Sequence, residues 1–129
     1  YKKNDIKNLT EINGIEYLGW IDTAKELKNF DISICMSYHE GLPRVVLESL
    51  FIGLYTISNS LPGLRPIFDN KENGKLISEN NLEEFKQAII DYSKINNFNE
   101  RIMYSRNKMA NNFSTDKILN EFVGVYTKL

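Results

Sequence analysis

Apolar positions along the chain fall into two patterns that alternate with one another. Short runs that are rich in apolar residues predict β-strands. They lie at residues 15–18, 32–36, 55–58 and 75–78. Stretches with apolar residues every three or four positions predict helices. They lie at residues 22–29, 43–52, 82–92, 100–111 and 115–128. The alternation predicts an α/β fold, in which a Rossmann-like parallel sheet carries helices on both faces.

The same patterns predict which side chains are buried. The strand at 32–36 shows no alternation, so both of its faces are expected to be covered. Gly53 is expected to end the second helix, because glycine readily adopts the left-handed conformation of a helix C-terminus. The inward positions of the first three helices are predicted to be Ala24, Leu27 and Phe30, then Val45, Val46, Leu47, Leu50 and Phe51, then Leu82, Phe85, Ala88, Ile89 and Tyr92.

The segment at residues 40–48, Glu-Gly-Leu-Pro-Arg-Val-Val-Leu-Glu, joins the strand at 32–36 to the second helix. Pro43 suits the first turn of a helix, and Gly41 allows the backbone to come close to a ligand. A helix N-terminus after a parallel strand is a ready anion site. Glu40 and Glu48 bracket this site, and a carboxylate accepts hydrogen bonds from vicinal hydroxyls. We therefore expect a pocket for an anion that carries hydroxyls, such as a nucleotide sugar.

Residues 40–48 resemble the Glu-x7-Glu motif of retaining GT-B glycosyltransferases, in particular glycosyltransferase family 4 (group 1). The similarity runs from about Tyr17 to the C-terminus. Its further matches are Tyr17-Leu18-Gly19-Trp20, Asp31 to Ser37, Gly53 to Ser58, Pro62-Gly63-Leu64-Arg65 and Asn73 to Ile77. The resemblance implies that residues 1–129 are a single, truncated C-terminal domain that binds the nucleotide-sugar donor, with C-terminal helices at about 100–128.

The resemblance also implies roles for single residues. Glu48 matches the glutamate that binds the ribose hydroxyls. Glu40 matches the catalytic glutamate near the donor sugar. The donor phosphates are expected at the helix N-terminus formed by Gly41, Leu42, Pro43 and Arg44. No metal or other cofactor is expected, since enzymes of this fold generally work without a bound metal.

Structural roles without a function in binding or catalysis stay open for these residues. Arg44 fits a surface charge as well as a phosphate ligand. Glu48 fits a solvated helix residue, and Glu40 fits a plain loop acid or a cap. For His39 we favour a local hydrogen-bonding role over proton transfer. For Ser37 we favour a role in forming a turn. The family's basic diphosphate ligands come from an earlier segment, and Pro66 stands where many members have a glutamate.

Composition narrows the class of protein. The chain has 129 residues, enough for one domain, and a net charge of −1, which gives no basic field for nucleic acid. No apolar run approaches the roughly 20 residues that span a bilayer. Cys35 is expected to be a core residue. We expect a cytoplasmic protein that can associate peripherally with the inner face of the membrane. The start at Tyr1 is typical of a piece of a longer protein.

The resemblance implies binding partners and an exposed edge of the sheet. The donor is a nucleotide sugar, and the acceptor, a sugar or lipid-linked glycan, would be bound by a missing N-terminal domain. The product would belong to a surface polysaccharide, lipopolysaccharide or glycolipid. With the central strands of the usual sheet missing, the strand at 32–36 is expected to be an exposed edge that promotes self-association. The alternatives are a nucleotide-binding module without catalysis and an α/β interaction module.

Overall fold

The computed structural model describes residues 12–68, 73–79 and 81–126, and these form an open α/β fold. Three parallel strands make its sheet in the order β1-β2-β3. They are β1 (Ile32–Cys35), β2 (Tyr55–Asn59) and β3 (Gly74–Ile77). The helices are α1 (Thr23–Glu26), α2 (Arg44–Ile52), α3 (Leu82–Ser93), α4 (Phe98–Phe113) and α5 (Thr115–Tyr126). Short 3₁₀ turns at Leu27–Asn29 and Pro62–Leu64 complete the elements.

The strand β2 occupies the middle of the sheet and is buried along its whole length. Its register places Ile32 of β1 opposite Tyr55, and Gly74 of β3 opposite Thr56. A Cβ on Gly74 would overlap the carbonyl oxygen of Thr56, so only glycine permits this close approach. Parallel strands need a crossover connection, and α2 lies in the one that joins β1 to β2.

Apolar clusters cover both faces of the sheet. On one face Val46 and Leu50 of α2 pack with Leu64 and with Met109 of α4. On the other face a second cluster joins the sheet to α3. It contains Tyr55, Ile57, Ile77 and Ala88, with Phe85 and Tyr92 packed against them. The prediction of a Rossmann-like parallel sheet with helices on both faces is therefore confirmed.

Residues 15–18 do not form the predicted strand. They have no regular secondary structure, and Tyr17 and Leu18 are exposed. A strand needs a neighbour that accepts its backbone hydrogen bonds, and the described part of the chain offers none at this position. An apolar run thus does not form a strand where no pairing partner lies beside it.

The strand β1 is an edge of the sheet, as predicted, but it is not buried on both faces. Ile34 is 51% exposed. The helix α3 packs on β2 and β3, so the adjoining face of β1 stays open beside Leu82. Self-association through this edge stays a prediction.

The predicted helix faces are only partly correct. Leu27, Val46, Leu50 and Ala88 are buried as expected. Several other predicted inward residues are exposed because no element packs over them. These are Ala24, Phe30, Val45, Phe51, Leu82 and Ile89.

The helix boundaries differ little from those expected. α2 begins at Arg44 with Pro43 just outside it, and α4 extends two residues beyond its expected bounds at each end. Residues 127–129, the predicted end of the last helix, lie outside the described residues. Among those described, the helices are too short or too polar for any of them to cross a membrane.

Candidate functional site

The N-terminus of α2 opens at the carboxyl edge of the sheet. Pro43 is buried, with a φ of −67° that suits entry into a helix. Its carbonyl oxygen accepts hydrogen bonds from the amides of Val46 and Leu47, at 3.1 and 3.4 Å. The amides of Arg44 and Val45 precede this first bond, and no side chain of the described residues caps the helix. These amides and the positive end of the helix dipole suit a bound anion.

Two contacts hold the loop that leads into this helix. Asn59, at the end of β2, donates from Nδ2 to the carbonyl oxygen of Ser37 at 3.2 Å. Gly63 lies against the backbone of Gly41, where a Cβ would overlap the Gly41 carbonyl oxygen. The loop is thereby fixed from the carboxyl end of β2 and from the Pro62–Leu64 turn.

Glu48 is the most firmly oriented acid of the candidate site. Its Oε2 accepts a hydrogen bond from Thr23 Oγ1 at 2.8 Å, and its Oε1 accepts one from Arg44 Nη2 at 3.3 Å. The side chain is 35% exposed. Two donors from different parts of the chain therefore fix a carboxylate that still reaches solvent. Glu48 is not a merely solvated helix residue.

A cleft of about 300 Å³ lies beside the Glu48 carboxylate. Thr23 and Ala24 form one side of it, while Phe51 and Ile52 belong to α2. Its volume is at the lower end of the range for small-ligand sites. The cleft combines one oriented acid with apolar walls, which suits a polar ring carrying hydroxyls.

The other predicted residues do not line this cleft. Glu40, Gly41 and Leu42 are exposed on the loop, and the structure does not join Glu40 to the Glu48 pair. Arg44 is 89% exposed and pairs with Glu48. Arg44 is therefore paired rather than an isolated surface charge. Its role as a phosphate ligand stays a prediction.

Three neighbouring residues bear out or refine minor expectations. Cys35 is buried, as expected of a core residue. Its Sγ lies 3.6 Å from Ser37 Oγ. Ser37 also anchors the loop through its carbonyl oxygen, and His39 is exposed. In the ranges that the structure describes, no three His, Cys, Asp or Glu side chains converge as metal ligands.

Side chains from α4 hold the opposite end of α2, and sequence patterns gave no sign of them. Arg101 Nη2 donates to the carbonyl oxygen of Gly53 at 3.0 Å. Ser105 Oγ donates to that of Leu50 at 2.8 Å, and Arg106 Nε to that of Ile52 at 2.9 Å. These partners are 48 to 55 positions apart in sequence. Thr23, 25 positions from Glu48, is a similar case.

Comparison with known proteins places this arrangement in a family. The sequence model described as "Glycosyl transferases group 1" matches residues 1–94. This is more than half of the chain, and it includes α2, both glutamates and the Thr23 that binds Glu48. The chain belongs to the group 1 glycosyl transferases.

Two curated relatives are similar along most of the chain. An uncharacterized glycosyltransferase of Haemophilus influenzae is 29% identical over 132 residues, which covers 96% of this chain and 37% of the relative. A UDP-Gal:alpha-D-GlcNAc-diphosphoundecaprenol alpha-1,3-galactosyltransferase of Escherichia coli is 29% identical over 110 residues, with 84% of this chain and 28% of the relative covered. The chain thus spans about a third of the length of these glycosyltransferases.

Proposed function

We propose that this chain is the donor-binding part of a retaining GT-B glycosyltransferase. The complete enzyme transfers a sugar from a nucleotide sugar to an acceptor in surface polysaccharide, lipopolysaccharide or glycolipid synthesis. The observation that carries the proposal is the orientation of Glu48 by Thr23 and Arg44 beside the 300 Å³ cleft.

Glu48 has the geometry for ribose hydroxyls. A carboxylate offers about four acceptor positions, and the two bonds seen here leave the others open. Because Thr23 and Arg44 fix the two oxygens, the carboxylate is preorganised, and little side-chain freedom is lost when a diol binds. The apolar side chains of Phe51 and Ile52 supply the wall on which the nucleoside rests.

The diphosphate belongs at the N-terminus of α2. The first-turn amides and the helix dipole stabilise the negative charge of the leaving diphosphate without a metal. Arg44 lies at the first position of the helix and adds an exposed positive charge. Glu40, on the loop before the helix, is placed to orient the donor sugar or to stabilise its oxocarbenium-like transition state.

The acceptor half of the reaction lies outside this chain. The name of the Escherichia coli relative gives UDP-Gal as its donor and a lipid diphosphate-linked sugar as its acceptor. We therefore take UDP as the first nucleotide to test and propose a polyprenyl-linked acceptor on the cytoplasmic side of the membrane. Because positioning of both substrates supplies much of the rate, this chain alone is expected to bind the donor weakly and to transfer nothing.

Ligand-observed NMR tests the proposal with UDP, GDP, ADP and inorganic diphosphate. We expect one nucleotide to bind and Glu48→Gln to weaken it about tenfold or more, since hydrogen bonds to a charged group are worth roughly 1.5–3 kcal/mol. Diphosphate, which has no ribose, is expected to be affected much less.

Glu83→Gln is the matched control for this experiment. Like Glu48, Glu83 lies on a helix and pairs with a basic residue of the same helix, Lys86, at 2.8 Å. Unlike Glu48, it does not line the cleft. Its removal is expected to leave nucleotide affinity unchanged. Equal losses in the two variants, or nucleotide binding that is indifferent to Glu48, would contradict the proposed ribose site.

A further inference from the structure

A second cleft, of about 470 Å³, lies at the amino edge of the sheet, opposite the N-terminus of α2. Asp31, which lines it, immediately precedes β1. Gly53 and Leu54, which also line it, immediately precede β2. The cleft therefore lies at the amino ends of the strands, whereas the loop with Glu40 follows their carboxyl ends. Phe98 and Arg101, from α4, close it on the outside.

Arg101 forms part of the wall of this cleft and is only 5% exposed. Its Nη2 donates to Gly53, and its guanidinium lies 5.9 Å from the centre of the Tyr55 ring. Its Nε and Nη1 are buried, and no acceptor among the described residues bonds to them. Tyr55 Oη, in the layer beneath, is likewise buried without a partner in the described ranges.

A buried guanidinium with two unsatisfied nitrogens is unusual and energetically unfavourable. Burial lowers the pKa of Arg101, which is the expected effect of desolvation on a cation. An arginine nevertheless keeps its charge in proteins. The fold thus holds a positive charge at the wall of a cleft and supplies too few acceptors for it.

The remaining lining of the cleft has two parts. Lys28 and Arg106 add positive charges, while Asp31 is the single carboxylate among the lining residues. The other part is aromatic. Tyr92 and Phe98 meet edge to face, with ring centroids 5.7 Å apart and planes at 72°. Cations and an aromatic wall therefore line the same space.

We propose that this cleft is a second binding site, for a small oxyanion that carries an aromatic or flat apolar group. The carboxylate or phosphate supplies an acceptor for the guanidinium of Arg101, since a hydrogen bond between two charged groups is stronger than one between neutral groups. The apolar group packs against Phe98 and Tyr92. The site shares no lining residue with the Glu48 cleft except Ile52 and does not depend on the proposed donor function.

The test uses phenyl phosphate and benzoate as probes, with phenol as the uncharged analogue, and ¹⁵N-labelled protein. Both anions are expected to shift the Nε–H resonance of Arg101 and the amides of Gly53 and Ile102. Phenol is expected to bind about tenfold more weakly or worse, because it offers no charged acceptor to the guanidinium. The two anions separate a phosphate from a carboxylate preference.

Variants then assign the binding to the cleft. Arg101→Met removes the charge but retains a long, unbranched side chain. It is expected to lower anion affinity about tenfold or more. Lys28→Met, at an exposed position of the rim, is expected to lower it about two- to threefold. Lys86→Met removes one charge from α3, away from the cleft lining, and is expected to change nothing.

Three outcomes would overturn the proposal. They are no shift of the Arg101 Nε–H resonance, shifts confined to the N-terminus of α2, and undiminished binding by folded Arg101→Met. If Arg101→Met does not fold, the wild-type Arg101 resonance and Lys28→Met decide the question together. Titration with UDP separates the two sites, because Arg101→Met is expected to leave nucleotide binding intact where Glu48→Gln weakens it.

Discussion

The two ends of helix α2 are built in opposite ways. At its N-terminus Gly41, Leu42 and Arg44 are exposed, and no side chain of the described residues caps the first amides. At its C-terminus Gly53 adopts a left-handed conformation, with φ 97°, and α4 donates three hydrogen bonds to the last carbonyls. One end is left open to solvent, whereas at the other the carbonyls of Leu50, Ile52 and Gly53 accept hydrogen bonds from side chains of α4.

The difference shows where the fold places stability and where it leaves room for a ligand. The carbonyl groups of Gly53 and Leu50 are buried under α4 and would be unfavourable without donors, which Arg101 and Ser105 supply. Arg106 donates to the Ile52 carbonyl at an exposed position. The amides at the other end face solvent and gain most from an anion. A proline at the cap position, rather than Ser, Thr, Asp or Asn, forgoes roughly 0.5–2 kcal/mol of helix stability. Local rules are commonly relaxed in this way at binding sites.

Of the substitutions at the two ends of α2, Gly53→Ala is expected to lower the free energy of unfolding most. A side chain at a left-handed position costs about 1–2 kcal/mol, and overpacking costs about 1–3 kcal/mol more. The added Cβ would lie 2.6 Å from Ile102 Cγ2 and 3.3 Å from Ile102 Cα. We expect the free energy of unfolding, measured by urea denaturation with circular dichroism, to fall by about 3 kcal/mol.

Gly41→Ala is the control at the open end. In the described part of the chain, no heavy atom beyond its chain neighbours lies within 4 Å of a Cβ placed there. Its effect on unfolding is expected to stay within about 0.5 kcal/mol, as for ordinary surface positions. Similar losses in the two variants would mean that the two ends of α2 do not differ as described.

Gly63→Ala is expected to disturb the open end with an intermediate effect. Its Cβ would overlap the Gly41 carbonyl oxygen, so the loop must move. We expect a loss of about 1–2 kcal/mol in the free energy of unfolding, within the usual range for overpacking. Amide resonances of residues 40–43 should shift, while those of α4 should not. Shifts that reach Arg101 or Ser105 would instead show that the two ends are coupled.

Arg44→Gln is expected to have the smallest effect on stability. The ion pair with Glu48 is exposed on the arginine side, and such pairs on a helix contribute about 0.3–0.5 kcal/mol. A double-mutant cycle with Glu48→Gln at low and high salt measures the pair directly. A coupling well above about 1 kcal/mol would show that Arg44 and Glu48 stabilise the fold itself rather than a ligand site.

Much of the fold was predictable from local patterns. The strands at 32–36, 55–58 and 75–78 and the helix that ends at Gly53 were placed within one or two residues. The strand predicted at 15–18 was wrong, because pairing depends on a neighbour that the pattern cannot supply. Ile34 and Leu82 were expected to be buried, but the helix that covers β2 and β3 does not reach over β1.

The candidate site divides in the same way. Local patterns were enough to predict the order of elements from β1 onward, the turn from β1 into α2 and the spacing of Glu40 and Glu48, because periodicity, Pro43 and Gly53 act over a few neighbouring residues. Local patterns could not predict that Thr23 fixes Glu48, that Gly63 supports Gly41, or that α4 bonds Leu50 through Ser105 and buries Arg101 beside a second cleft. These contacts join residues 22 to 55 positions apart, and such partners are set by the packing of whole elements.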